Sequence, residues 1–390
     1  MTESFRAARD QTMIRRANEL SVLAVLRDGN LRTMRDIADA TGLSWRTTNV
    51  VAEALETQGW LAGIDADPDD RRLGRPARRY RFRAEAGYVV GIDIGAHAIA
   101  AFVADLAGTI VGSHRLKAGA HDGAADRLAA TETAIRGALA DAGIEAGDVW
   151  AAAVGSTGVI GPDGTVTVSA VLPDWTGLNP AAELAETLPC PITVANDCNL
   201  AALAERWRGH SAHDMIYLLT GVRLGAGLVI GGQLHRGSGG AAGEVGEIRE
   251  LGWNDTAERL AATAHDETAD RGHAAKQVFQ AARDGDAAAI AAVDRFAADV
   301  ARGLTAMVVT IDPELVVMGG DFTHAADLLL PRLATKLTET CLHKPRLEVS
   351  ELGDDSVVLG AVWLALDTIS QRIATLDSAT PLAPAAVRGL

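Results

Sequence analysis

The sequence predicts a mixed α/β protein in two parts. A small helix-turn-helix unit with a β-hairpin wing occupies residues 1–85, and a two-lobed α/β body occupies residues 86–390. Three observations predict this division. The charge changes sign: residues 1–83 hold 15 Arg, no Lys and 12 carboxylates, a net of +3, while the remainder carries −18. A helical run, a glycine turn and another helical run open the chain. Strand-like apolar runs ending in Asp or Gly, separated by helical stretches, fill the rest, which is α/β order.

At 390 residues the chain is too long for one ordinary domain. No run of about 18 apolar residues stands out, so no membrane span is expected. Met1 to Asp10 is charged without an apolar stretch, unlike a signal peptide. Cys190, Cys198 and Cys341 form neither a disulfide framework nor a metal spacing. Free thiols fit a reducing cytoplasm, which is the expected location. The acidity of the body argues against its touching nucleic acid, and the basic head is the part suited to a polyanion. No period of 20–50 residues indicates a solenoid.

In the head, Ile14, Ala17, Leu20, Leu23 and Leu26 recur at helical spacing, and Asp28-Gly29-Asn30 ends the run. Met34, Ile37 and Ala38 mark a short second helix. Gly42 suits a left-handed turn, and Ser44 suits the N-cap of a third helix on which Thr48, Val51 and Leu55 share a face. Such a unit lays the start of its second helix-turn-helix helix in the DNA major groove. Trp45, Arg46, Thr47 and Asn49 point away from the apolar face. Arg pairs with guanine, Asn with adenine, and a Thr methyl meets that of thymine. Ser44 is placed for a phosphate, by its hydroxyl or through the helix N-terminus.

The wing follows. Trp60, Leu61 and Ile64 begin a strand, Asp65 to Pro76 is a polar turn, and Arg78 to Phe82 returns with Tyr80 and Phe82 on one face. Arg71 and Arg72 lie in the turn, and Gly74-Arg75-Pro76 forms its tip. An extended arginine between Gly and Pro suits a narrow A·T-rich minor groove.

In the body, Val89 to Gly95 is a buried strand ending in Asp-x-Gly, followed by apolar runs at Ile99–Asp105 and Leu106–Val111. Val149–Gly155 and Ile192–Ala195 add strands. Met215–Leu219 and Leu228–Ile230 start a second lobe, and Leu315–Gly320 closes it as strand to Gly-Gly. Three strands around an Asp-x-Gly turn resemble the phosphate-facing sheet of actin-like ATPases and sugar kinases.

From Met13 to about Leu366 the chain resembles the ROK family (repressors, open reading frames and kinases), in its transcription-factor branch. The resemblance rests on Gly74-Arg75-Pro76-Ala77, Gly91-Ile92-Asp93-Ile94-Gly95, Asn196-Asp197 followed by Ala201 to Glu205, Arg236-Gly237 through Gly243-Glu244-Val245-Gly246, and Asp312-Pro313-Glu314 leading to Gly319-Gly320. It implies a two-lobed actin-like fold. It also implies that Asp197 stands where kinase members keep their general base, and that Asn196 and Glu244 bond sugar hydroxyls. Carboxylates and amides suit vicinal hydroxyls because they offer several acceptors at fixed spacing. Asn196-Asp197 equally suits a helix N-cap before Leu200–Leu203.

Three departures from the family bear on function. The first phosphate turn reads Asp93-Ile94-Gly95-Ala96-His97 where the family has Asp-x-Gly-Gly-Thr, which impairs close backbone approach to a phosphate. In the second glycine loop, Gly221, Gly225 and Gly227 remain, but Arg223 fills a glycine position. The zinc-binding cysteine run is absent, and Glu247 stands where a sugar-contacting His is usual. Zinc needs about four N or S ligands. Neither zinc nor ATP is therefore expected. Glu247 exchanges a possible donor for an acceptor, which suits a donor-rich ligand such as an amino sugar.

The expected protein is a sugar-responsive repressor, a homodimer or homotetramer, binding operator double-stranded DNA and a small carbohydrate, without membrane contact or enzymatic activity. Two alternatives stand beside it: an active ROK sugar kinase with a DNA-binding head, and a DNA-binding protein whose body only dimerises.

Overall fold

The computed structural model describes residues 2–64, 78–264, 270–377 and 380–388. In the head, α1 (Thr2–Leu26), β1 (Arg32–Thr33), α2 (Met34–Thr41), α3 (Trp45–Gln58), β2 (Leu61–Ile64) and β3 (Arg79–Phe82) follow in order. Thr33 caps α2 in a reciprocal capping box with Asp36, and Gly42 ends it at φ 70°, the left-handed conformation that glycine adopts without a Cβ clash. Ser44 then caps α3 by accepting from the Thr47 amide at 3.2 Å. Ile37, Val51, Ala52 and Leu55 are buried between the helices. β2 and β3 pair antiparallel, and β1 adds to the far edge of β3, giving the order β1-β3-β2. The wing tip, with Arg71, Arg72 and Arg75, lies outside the described residues.

The buried face of α1 differs from the expected one. Ile14 is 61% exposed and Ala17 is exposed, while Arg16, Glu19, Val22, Leu23 and Leu26 are buried. A strict spacing of three drifts by about 60° per step on a helix of 3.6 residues per turn. Ile14 and Leu26 therefore cannot share one face.

The first lobe is built from β4 (Tyr88–Ile94), β5 (Ala98–Asp105), β6 (Ile110–Lys117), α4 (Ala124–Ala142), β7 (Val149–Ser156), the small ribbon β8 (Val159–Ile160) and β9 (Val166–Val168), α5 (Pro180–Glu183) and β10 (Ile192–Asn196). After α6 (Asp197–Arg208) the second lobe follows with β11 (Met215–Leu219), β12 (Gly225–Ile230), β13 (Gln233–Leu234), α7 (Trp253–Ala261), α8 (Arg271–Arg283), α9 (Ala287–Ile311), β14 (Leu315–Gly319), α10 (Ala326–Thr340) and β15 (Arg346–Val349). The chain ends with α11 (Ser356–Thr375) and the short α12 (Pro384–Arg388).

The sheets run β10-β7-β4-β5-β6 and β13-β12-β11-β14-β15. In each, three successive strands form an antiparallel meander, and a fourth and fifth join parallel to the first. The two lobes thus repeat one topology without repeating sequence. This is the mixed α/β, actin-like sugar-kinase fold that the sequence predicts.

α6 and α11 pack on each other between the lobes. Glycines permit the approach: a Cβ on Gly91 of β4 would lie 2.6 Å from the Val358 carbonyl of α11, and one on Gly360 would lie 1.9 Å from the Leu200 carbonyl of α6. By length and composition α11 could cross a membrane, contrary to the reading that no such run exists. Its apolar residues Val358, Ala361, Val362, Ala365, Leu366 and Ile369 are instead buried in the protein core.

Head and first lobe share that core. Trp60 is buried, stacks on Phe82 at 6.0 Å and meets Trp150 of β7 edge-on at 6.0 Å. Its indole N–H donates to the Leu382 carbonyl at 2.7 Å. Residues 380–388, assigned by position to the body, lie against the head.

Candidate functional site

Two regions bear on function. The first is the start of α3. Capping by Ser44 fixes the helix entry and leaves the opening turn facing out. Trp45 is 64% exposed and Arg46 is exposed. Val50, one turn beyond Arg46, is 61% exposed, an apolar side chain on the outer face that the head's periodicity did not single out. Thr47 and Asn49 are half-buried and engaged: the Thr47 and Ser44 hydroxyls lie 2.8 Å apart, and the Asn49 amide donates to Glu53 at 2.7 Å. The bond to Glu53 uses one N–H of the Asn49 amide and leaves its second N–H and its carbonyl oxygen for a partner.

The second region is the cleft where β4 and β10 end. Asn196 caps α6: its side-chain oxygen accepts from the Asn199 amide at 3.1 Å, and its NH₂ donates to the Gly158 carbonyl at 3.0 Å. The N-cap role foreseen for it is therefore real, and the carbohydrate role competes for the same atoms. The Asp197 carboxylate is half-buried and accepts from the Cys198 amide at 2.8 Å.

Four carboxylates gather here. Burial, then repulsion from Asp197, pushes Asp93 up to about 7; Arg115 partly offsets this. Burial, then repulsion from Asp197 and Glu247, pushes Glu244 up to about 7. Asp197 is itself raised by burial. Glu244 is half-buried and Glu247 exposed. The fold therefore brings Asn196, Asp197, Glu244 and Glu247 of the sequence reading into one region and adds Asp93 to them.

The altered phosphate turns are tied into protein contacts. The guanidinium of Arg127, fully buried, donates to the Gly95 carbonyl at 2.5 Å and to that of Gly119 at 2.8 Å, stiffening the Asp93–His97 turn. Arg223 reaches across the cleft and donates to the Ala170 carbonyl of the first lobe at 3.1 Å. His97 lies close enough to Asp270, the N-cap of α8, to act on its charge. Arg115 pairs with Asp355 at 2.6 Å just ahead of α11. Local spacing carries no signal for these partners, which are distant in sequence.

At the positions corresponding to the family's zinc and nucleotide sites, the residue types of this chain differ from the family pattern. No cysteine lies between Cys198 and Cys341, so the cysteine ligands of such a site are missing. At the nucleotide position Ala96 adds a Cβ and Arg223 is bonded across the cleft.

The raised carboxyls give a pH prediction. Asp93 binds its proton more tightly folded than unfolded, so its contribution is complete below about pH 4 and is lost as pH rises through about 7. Asp93→Asn is expected to raise the melting temperature at pH 8 by on the order of 5 °C and to leave it almost unchanged at pH 4. Parallel pH profiles for the two proteins would show that Asp93 is ionised throughout.

Known proteins bear on the site as follows. The model of the ROK family matches residues 89–368. The xylose repressor of Caldicellulosiruptor bescii is 22% identical over 390 residues, covering 92% of this chain and 97% of that protein. A glucokinase of Halalkalibacterium halodurans is 27% identical over 311 residues, covering 71% of this chain and 94% of that protein. Among solved structures, a ROK family transcriptional regulator, a homologue of the E. coli MLC protein, matches with TM-score 0.67 at 17% identity, over 90% of this chain and 96% of its own; this is a likeness of fold. A ROK family glucokinase from Streptomyces griseus, in complex with glucose and AMPPNP, matches with TM-score 0.57 at 25% identity, over 72% of this chain and 100% of its own.

Proposed function

The chain belongs to the ROK family, and from that premise we propose that it is a DNA-binding repressor whose ROK body senses a carbohydrate. One observation carries this reading: the repressor relative spans 92% of the chain and therefore most of the head, whereas the glucokinase spans 71%, less than the body alone. The exposed start of α3 enters the major groove, with Arg46 and Trp45 foremost. The wing arginines Arg71, Arg72 and Arg75 add phosphate and minor-groove contacts. A carbohydrate sits in the inter-lobe cleft against Asn196, Asp197, Glu244 and Glu247. Its hydroxyls, and an amino group where present, donate to these acceptors. It shifts DNA affinity only by its differential affinity for the two states of the protein. A homodimer, or a tetramer of such dimers, presents paired heads to a palindromic operator.

The kinase reading keeps one specific support. Asp197 is retained, half-buried, directly after Asn196, and glucokinases are among the relatives. Arg223, Ala96 and His97 weigh against nucleotide binding. The test is ADP release in the presence of ATP, magnesium and a panel of hexoses. No hexose is expected to stimulate release above the ATP-only rate. Hexose-dependent release that disappears in Asp197→Ala would establish the kinase instead.

A further inference from the structure

The outer face of α3 carries an apolar side chain where a surface helix needs none. Thr48, Val51, Ala52 and Leu55 fill the inner face against the rest of the head. Arg46, Val50, Glu53 and Thr57 form the opposite stripe, and all four are exposed. Val50 stands about 40° around the helix from Arg46 and about 6 Å further along its axis. More than half of its surface is open to solvent, so nothing among the described residues of head or body covers it. Valine is a poor choice for an uncovered helix position. It loses side-chain freedom against the preceding turn and leaves its methyl groups in water.

Its neighbours divide the stripe by charge. Arg32, Arg78 and Arg81 of the same head are held by Asp28, Glu56 and Glu85, whereas Arg46 enters no ion pair among the described residues. Beyond Val50 comes Glu53, whose carboxylate accepts from the Asn49 amide at 2.7 Å. A carboxylate repels phosphates. The stripe is therefore cationic ahead of Val50 and anionic after it. Its first two turns are the part suited to a groove in DNA, and Val50 is the last side chain of that part.

The major groove offers one apolar group on a base edge, the C5-methyl of thymine. We propose that Val50 packs on a thymine methyl and so sets the base at one operator position. Base pairs are stacked about 3.4 Å apart, so an axial offset of about 6 Å puts that thymine one or two base pairs from the pair that Arg46 meets. Burial of one methyl group is the whole of the interaction. Its effect is therefore on specificity, and general affinity for DNA rests on the arginines. The inference rests on the DNA-binding reading above and adds to it a residue and the base that it selects.

The test uses the full chain and a site that it selects from random double-stranded DNA. Each thymine of the site is replaced singly by deoxyuridine, which lacks only the methyl group. The parent protein should lose affinity about fourfold per half-site at one thymine and keep it at the others. Val50→Ser removes both methyl groups of the side chain and should bind the thymine and deoxyuridine sites alike. Val50→Thr keeps one methyl and should retain about a twofold preference. Both changes lie at an exposed position and should leave the melting temperature nearly unchanged. Arg46→Ala should weaken binding to both sites about tenfold and leave the methyl effect in place. A parent protein indifferent to deoxyuridine at every position would overturn the inference, as would a Val50→Ser protein that still prefers the same thymine. If a site is selected but no methyl matters, the Val50 assignment fails and the DNA-binding reading stands. If no sequence is enriched, both fail.

Discussion

Truncation of Trp60 to alanine is expected to destabilise the protein by about 3–5 kcal/mol, the cost usual for emptying a large buried aromatic site. The indole is 1% exposed, stacks on Phe82, meets Trp150 edge-on, and gives its N–H to the Leu382 carbonyl. Removal opens a void between head and first lobe. It also leaves the Leu382 carbonyl without its donor, a further cost of about 1–3 kcal/mol if water does not enter. Urea unfolding of the full chain, followed by circular dichroism, is the measurement. A loss below about 0.5 kcal/mol, as at a surface site, would mean that head and body do not share a core.

The second large effect is functional. Glu244→Ala is expected to leave ligand-free DNA binding within about twofold of the parent, because the residue lies in the body and far in sequence from the basic head. It is expected to abolish the response to carbohydrate. Glu244 faces Asp197 and Glu247 in the cleft and is pushed up to about 7, so near neutral pH it is both donor and acceptor for a hydroxyl or amine. Losing a half-buried partner costs about 1–3 kcal/mol of ligand binding, a tenfold to hundredfold weakening. Operator titrations with and without the most effective sugar, in both proteins at one salt concentration, measure this. An undiminished response in the mutant would place the ligand elsewhere.

Local signals in the sequence translated directly into structure. Gly42 and Ser44 mark the turn and cap of α3 because each acts on its own backbone neighbours. Asn196 caps α6 for the same reason. The buried strands Val89–Gly95 and Leu315–Gly320 announce themselves as apolar runs ended by glycine. What was not legible depends on residues far apart in the chain. The face of α1 was misplaced at Ile14 and Ala17 because a spacing of three fits no fixed helical stripe. β1 is only two residues long and exists by pairing with β3. The Arg223–Ala170 bond, the Arg127 anchor on the Gly95 turn and the Trp60–Leu382 bond join segments separated by 53, 32 and 322 positions. No periodicity encodes them. At the cleft, residue types pointed to hydroxyl recognition, but only the fold shows Asp93 joining the other carboxylates, with burial and then Asp197 raising its proton affinity.

The central claim is that operator DNA and a carbohydrate bind at separate sites linked through one protein. Linkage makes it testable in a single reciprocal measurement. The sugar that most alters operator affinity is titrated into the protein with and without saturating operator. The account predicts the same factor in both directions, with a coupling of about 1–3 kcal/mol, or roughly 5–150-fold. A sugar that binds with equal affinity to the free and operator-bound protein would contradict it.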